Sequence, residues 1–256
     1  VLAERGLSEE GEEILQSALE DVALRVSGGY ITNYAALVRE NGKSFSLLLS
    51  GAGALLALFS VDLKRVLACS SLSQIGFITV GLSMMVMLAQ EGSLAAYGSV
   101  MHMMNHSLIK LVLFMAAGVV YMNLHKLNLN DVRGFGRNKP LLHIVFLLGA
   151  LSIACIPFVG SGYHSKSLIH ESILEYIAYL NGMGVSTANY QFVEGLFVFS
   201  GGLTVAYMLK LYICLFWEKN PEHQAEYDAM GGKYMNKQTA VALLLPAVIL
   251  LAFAVL

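Results

Sequence analysis

His102, His106 and Lys110 fall at i, i+4 and i+8. On an α-helix that spacing puts three side chains on one face, about one turn apart. Leu111-Val112-Leu113-Phe114 follow directly, so Lys110 lies inside an apolar run. An ammonium at mid-bilayer costs about 2.5–3.5 kcal/mol on insertion scales, so it must face protein or a water-filled path. Histidine titrates near neutral pH, and burial moves a lysine toward that range. Such a row can load and release protons. Two other readings of the same residues stay open. One is a satisfied structural network between packed helices. The other is a zinc site from His-x3-His, for which no third ligand lies nearby in sequence.

A second set follows Pro157: Gly160-Ser161-Gly162-Tyr163-His164-Ser165-Lys166-Ser167. Proline removes a backbone donor and glycines loosen the helix, so a break is expected here. Broken helices place free backbone groups beside transported ions. Lys166 is therefore the second candidate for proton handling, with His170 one turn on and Glu171 beside it as further candidates. The competing reading of Lys166 is an interfacial lysine that snorkels to water. Lys210, seven residues before Trp217, is a further candidate with the same alternative. There is no phosphate-binding glycine loop, nucleophile elbow or flavin fingerprint. No catalytic residue, metal ligand set or cofactor is expected.

These residues need elements to hold them, and composition says which. Of 256 residues 56% are apolar and only 13% charged, about half the charge of a soluble domain. That excludes an ordinary soluble enzyme. A net charge of −2 lacks the basic stripe a nucleic-acid partner would need. Cys69, Cys155 and Cys214 lie far apart in apolar stretches and make no disulfide framework. Segments of about 20 mainly apolar residues can span a bilayer. Candidate spans lie at about 45–61, 66–89, 96–122, 141–158, 164–180, 192–217 and 238–256. Residues 1–43 form a different region, polar and acidic, with helical apolar spacing over about 12–26. The chain thus divides into that segment and a transmembrane domain, 44–256, of about six or seven helices. It begins with Val and shows no signal peptide, which suggests a processed, truncated or incomplete N-terminus.

Lys64 and Arg65 lie in one connection and Lys126, Arg133, Arg137 and Lys139 in another, while the connection between has Glu91 and no base. The positive-inside rule places the two basic connections on the cytoplasmic side. Whether 218–237 joins them depends on whether 141–180 crosses twice or makes one broken crossing.

Asp62-Leu63-Lys64-Arg65-Val66-Leu67-Ala68-Cys69-Ser70-Ser71-Leu72-Ser73-Gln74-Ile75-Gly76-Phe77 resembles a signature of the antiporter-like subunits. That family includes the large proton-pumping membrane subunits of respiratory complex I, those of Mrp-type cation/proton antiporters, and those of energy-converting hydrogenases. His102-Met103-Met104-Asn105-His106-Ser107-Leu108-Ile109-Lys110 resembles the next signature. Gly149-Ala150-Leu151-Ser152 through Ile156-Pro157 to Ser165-Lys166 resembles the third. The three stand in the family's order, and the likeness covers about residues 45–218. It implies an all-α, polytopic transmembrane bundle with a broken helix, similar to the second half of the antiporter-like fold.

By this resemblance Lys110 matches the central-axis lysine, His106 and His102 the histidines before it, and Lys166 the charged residue of the second broken helix. Some relatives carry an acid directly after that lysine, where this chain has Ser167. The glutamate–lysine pair of the first repeat is missing, so a fragment, a split chain or another subunit supplying the N-terminal half is implied. The function implied is a proton-translocating subunit of a respiratory or hydrogenase-type membrane complex, without bond chemistry of its own. The alternatives are an Mrp-type sodium/proton antiporter subunit and a non-conducting structural subunit. Partners would be other membrane subunits and lipid. The location would be a bacterial or archaeal cytoplasmic membrane or an organelle inner membrane.

Overall fold

The apolar runs become helices because a segment in hydrocarbon must satisfy its own backbone hydrogen bonds. A computed structural model describes residues 49–88, 92–157 and 160–255, all within one compact unit, Ser46–Leu256. The acidic N-terminal segment and its expected helix lie outside the described residues. The helices are α1 (Leu49–Phe59), α2 (Leu63–Leu88), α3 (Ser93–Leu124), α4 (Leu129–Val132), α5 (Pro140–Ile153), α6 (Gly162–Gly182), α7 (Ala188–Tyr212), α8 (Gln224–Ala229) and α9 (Lys237–Val255). Ile213–Trp217 continue α7 as a π-helical stretch. Three helices, Leu63–Leu88, Ser93–Leu124 and Ala188–Trp217, are long and apolar enough to cross a membrane, and α1, α5 and α9 are shorter apolar helices. Phe59, Val86, Phe192, Phe199, Val241 and Val248 point outward, as side chains do where the surroundings are apolar.

Three connections meet at one end of the bundle. Leu63 N donates to Leu127 O and Leu129 N to Val61 O, both at 2.8 Å, which ties the α1–α2 link to the segment after α3. Asn138 Nδ2 donates to Asp228 Oδ1 at 2.8 Å, and Tyr227 Oη to Asp131 O at 2.6 Å. Lys139, almost fully buried, donates to Phe135 O and to Tyr227 O at 2.7 and 3.1 Å. The π stretch frees carbonyls, and the loop takes them: Gly134 N and Gly136 N donate to Cys214 O and Leu215 O at 2.8 Å. At the opposite end Tyr190 on α7 reaches Met87 on α2.

This arrangement answers the topology question. The chain leaves the capped end as α5 and returns to it through α7. Therefore α5 and α6 together run once along the bundle, as two pieces of one broken helix, and 218–236 share an end with the two basic connections. Between the pieces the backbone doubles back on the end of α5. A Cβ at Gly160 would stand 2.7 Å from Ser152 Cα and 2.8 Å from Leu151 O, so only glycine fits. Cys155 takes φ +56° there, a left-handed conformation uncommon for a residue with a Cβ.

The first two helices cross with backbones touching. An ideal Cβ at Gly76 would lie 2.5 Å from Ser50 N, and one at Gly53 would lie 2.5 Å from Ser73 N. Small residues permit this approach, which in a membrane supplies packing that lipid cannot.

Candidate functional site

Lys110 is 7% exposed near the middle of α3. Its Nζ donates to Leu67 O at 2.8 Å and to Ser70 Oγ. Leu67 and Ser70 both belong to α2, so the ammonium is held by neutral oxygens of the neighbouring helix. One turn further along α2, Gln74 is buried. Its Oε1 stands 3.0 Å from His102 Nε2, and His102 Nδ1 stands 2.9 Å from Ser165 Oγ on α6. The Tyr207 hydroxyl, from α7, faces Ser70, Gln74 and Thr204 without meeting hydrogen-bond geometry to any of them. A polar thread therefore runs Lys110, Ser70, Tyr207, Gln74, His102, Ser165, and the next residue is Lys166.

The His102 contacts accommodate two protonation states. A neutral ring donates through Nε2 to Gln74 and accepts at Nδ1 from the Ser165 hydroxyl. A protonated ring donates through both nitrogens. Ser165 can then turn its proton to Gly162 O, 3.1 Å away. Rotation of one hydroxyl thus absorbs the difference. Asn105 secures the same place, donating to Ser161 O at 2.8 Å and to Ser165 Oγ at 3.3 Å. The first of these adds a side-chain donor to the carbonyl of the residue that caps the start of α6, and so ties α3 to the helix break.

Lys166 is 9% exposed. Its Nζ lies 3.8 Å from the Phe77 ring centroid and 5.6 Å from that of Phe197. Aromatic faces attract a desolvated cation by about 2 kcal/mol or more, and they hold it without a counter-charge. A cavity of about 250 Å³ opens beside it, lined by Cys155, Tyr163, Ser167, His170, Phe197 and Gly201 among others.

The remaining sequence candidates fall differently. His106 is half-buried, and its Nδ1 is shielded yet unpartnered. It makes no hydrogen bond to His102 or to Lys110. His170 turns toward α7 and pairs with Glu194, Nε2 to Oε1 at 2.9 Å. Glu171 is exposed on the flank of α6. Lys210 stands apart from the thread: its Nζ donates to Leu58 O at 2.6 Å and Ser60 O at 2.5 Å, closing the carbonyl end of α1 as lysines do at helix C-termini. Sequence reasoning did not single out Gln74, Ser70, Tyr207 or Glu194. Ser70, Ser73 and Gln74 carried a signal, being polar residues at one-turn spacing in an apolar helix; Tyr207 carried none.

A family model described as NADH:quinone oxidoreductase/Mrp antiporter, TM, matches residues 33–189. NADH-quinone oxidoreductase subunit L of Neisseria meningitidis serogroup A is 27% identical over 263 residues, an alignment covering 95% of this chain and 36% of that protein. This chain therefore spans little more than a third of that relative. Among solved structures, the membrane-bound sulfane sulfur reductase, an archaeal respiratory membrane complex, has a chain superposing with a TM-score of 0.65 at 22% identity, covering 89% of this chain and 40% of that one. The Mrp complex from Dietzia sp. DQ12-45-1b has a chain superposing with a TM-score of 0.65 at 19% identity, over 85% and 45% of the two chains. These structural likenesses show a shared fold. The family match covers more than half of the residues, and the chain belongs to the transmembrane family of NADH:quinone oxidoreductase and Mrp antiporter subunits.

Proposed function

We infer that the chain is a proton-translocating, antiporter-like subunit of a larger redox-driven membrane complex, carrying protons between Lys110 and Lys166. One observation carries this reading: two buried lysines held by neutral groups lie at the ends of a thread of exchangeable protons. A lysine held by a carboxylate would have to break an ion pair to lose its proton. Lys110 on oxygens and Lys166 on aromatic faces need not. Along the thread, Tyr207 Oη, Gln74 Nε2, Asn105 Oδ1, Ser73 Oγ and Ser161 Oγ are buried with no protein hydrogen-bond partner. Native interiors rarely leave such atoms unsatisfied, and each is a place for water that extends the path. A purely structural network would close its bonds on itself.

The chain's roles are then definite. Lys110 and Lys166 hold and release protons, His102 relays between them by the Ser165 rotation, and Phe77 keeps the Lys166 site dry enough for its charge to respond to neighbours. The relatives are named as subunits or chains of multisubunit complexes, and such a complex would supply the driving reaction and the remaining helices.

The Mrp-type likeness favours a second reading, sodium/proton exchange. Sealed vesicles of native membrane, energised with and without sodium, separate the two. The proton reading predicts the same rate of acidification in both. Proton movement that stops when sodium is withdrawn would establish exchange instead.

A further inference from the structure

We propose that His170 and Glu194 form the outlet of the proton path, taking protons from Lys166 and delivering them to the aqueous side opposite the capped end. The proposal rests on the proton-translocating reading of Lys166 and extends it by two residues.

The pair is placed for this by depth and by a shared cavity. Gly201 of α7 lies against Lys166, with an ideal Cβ there 3.0 Å from Nζ. Glu194 comes seven residues earlier on the same helix, about 10 Å nearer its N-terminal end at 1.5 Å per residue. That end lies away from the cap. His170 lies four residues beyond Lys166 on α6, about 6 Å in the same direction. Both side chains of the pair are 31% exposed, against 9% for Lys166. Exposure therefore rises along the route. Lys166 and His170 line the same cavity, which has room for several waters. Phe197 lines it too, stacked on the His170 ring at 5.6 Å, so the imidazole is held with Nε2 toward Glu194 and its other nitrogen free to accept. No other carboxylate of α7 is available: Glu194 is the only acid in Ala188–Tyr212.

The transfer balances. An N–H bond of the Lys166 ammonium breaks, and its proton passes through cavity water to the free ring nitrogen of His170, leaving a neutral amine. The imidazolium gives its Nε2 proton to the Glu194 carboxylate. Glu194 releases that proton to water, and water then takes the proton from Nδ1 and returns one to Nε2, which restores the starting tautomer. No oxidant or co-reactant is needed.

A pin holding α6 to α7 would use the same contact, so the test must separate a carrier from a pin. In native vesicles containing the intact complex, Glu194→Gln keeps the length and an acceptor oxygen for Nε2 but cannot carry a proton. Glu194→Asp keeps the acid but shortens the reach. The outlet predicts that Glu194→Gln slows proton movement by about a hundredfold, the lower end for losing a positioned acid–base group, while Glu194→Asp retains most of it and both assemble normally on native gels. His170→Gln is expected to slow it comparably. A Glu194→Gln rate at or above that of Glu194→Asp, or a normal rate in His170→Gln, overturns the proposal. Lys110→Met run beside them distinguishes the failures. If it moves protons normally the underlying function falls, whereas if it is blocked and Glu194→Gln is not, only the outlet falls.

Discussion

Lys166→Arg is expected to block most proton movement although it preserves the positive charge. The lysine ammonium sits between the rings of Phe77 and Phe197 with Gly201 leaving just enough space at its tip. Arginine is broader, and its planar head would press on that glycine or rotate onto the rings, where it stacks well. The larger effect is chemical. Arginine holds its proton far more tightly than lysine and does not exchange it at physiological pH. A site that must alternate between charged and neutral would be fixed in one state. The expected loss is about a hundredfold or more, with the complex still present in the membrane. Parallel measurement of complex abundance and proton movement checks this. A structural lysine would lose complex abundance from the tighter fit at Gly201 but not the rate per assembled complex, since charge and aromatic contact both survive.

The second large effect is on assembly. Gly76→Val should sharply reduce the amount of intact protein, because the new branched side chain must occupy space filled by Ser50 backbone, 2.5–2.7 Å from an ideal Cβ. The obstacle is main chain, so no rotamer relieves it, and α1 must move off α2. Overpacking a tight core typically costs about 1–3 kcal/mol and occasionally more, and here two helices separate along a crossing that Gly53 also builds. Gly76→Ala should be milder than Val and still measurable. Gly202→Ala is the control, since nothing lies within 4 Å of a Cβ there and alanine is the better helix former. Thermal stability of the extracted protein should therefore fall in the order Gly202→Ala, Gly76→Ala, Gly76→Val. Equal stability of the three would show that the α1–α2 contact is looser than described.

The helices were legible from hydropathy to within a few residues. The segment expected at 66–89 is Leu63–Leu88, and that at 96–122 is Ser93–Leu124. Apolar length is a one-dimensional property, and a bilayer reads it directly. The break after Pro157 was legible for the same reason, since proline and glycine act on their own backbone. The contacts of the polar side chains were less so. Spacing suggested a row of His102, His106 and Lys110 on one helix. The hydrogen bonds run between helices: Lys110 to Ser70 of α2, and His102 to Gln74 of α2 and Ser165 of α6, with Tyr207 of α7 beside them. Periodicity shows which residues share a face and is silent about which neighbouring helix supplies the next group. Lys210 illustrates the converse. A lysine in an apolar helix left a functional role and snorkelling both open from sequence, and only the fold shows its two carbonyl acceptors at the end of α1. That 141–180 runs along the bundle once rather than twice likewise follows from contacts between distant loops, which no local pattern encodes.

The claim that protons travel through this chain is tested most directly by the ratio of protons moved to electrons transferred in native vesicles carrying Lys110→Met. Methionine fills the volume of the lysine stem and removes its charge and exchangeable protons, while Ser70 Oγ keeps its own hydrogen bond to Leu67 O at 2.8 Å. The account predicts an assembled complex whose ratio falls by the share this chain contributes, together with slowed electron transfer where the two are tightly coupled. An unchanged ratio at an unchanged rate of electron transfer would contradict it.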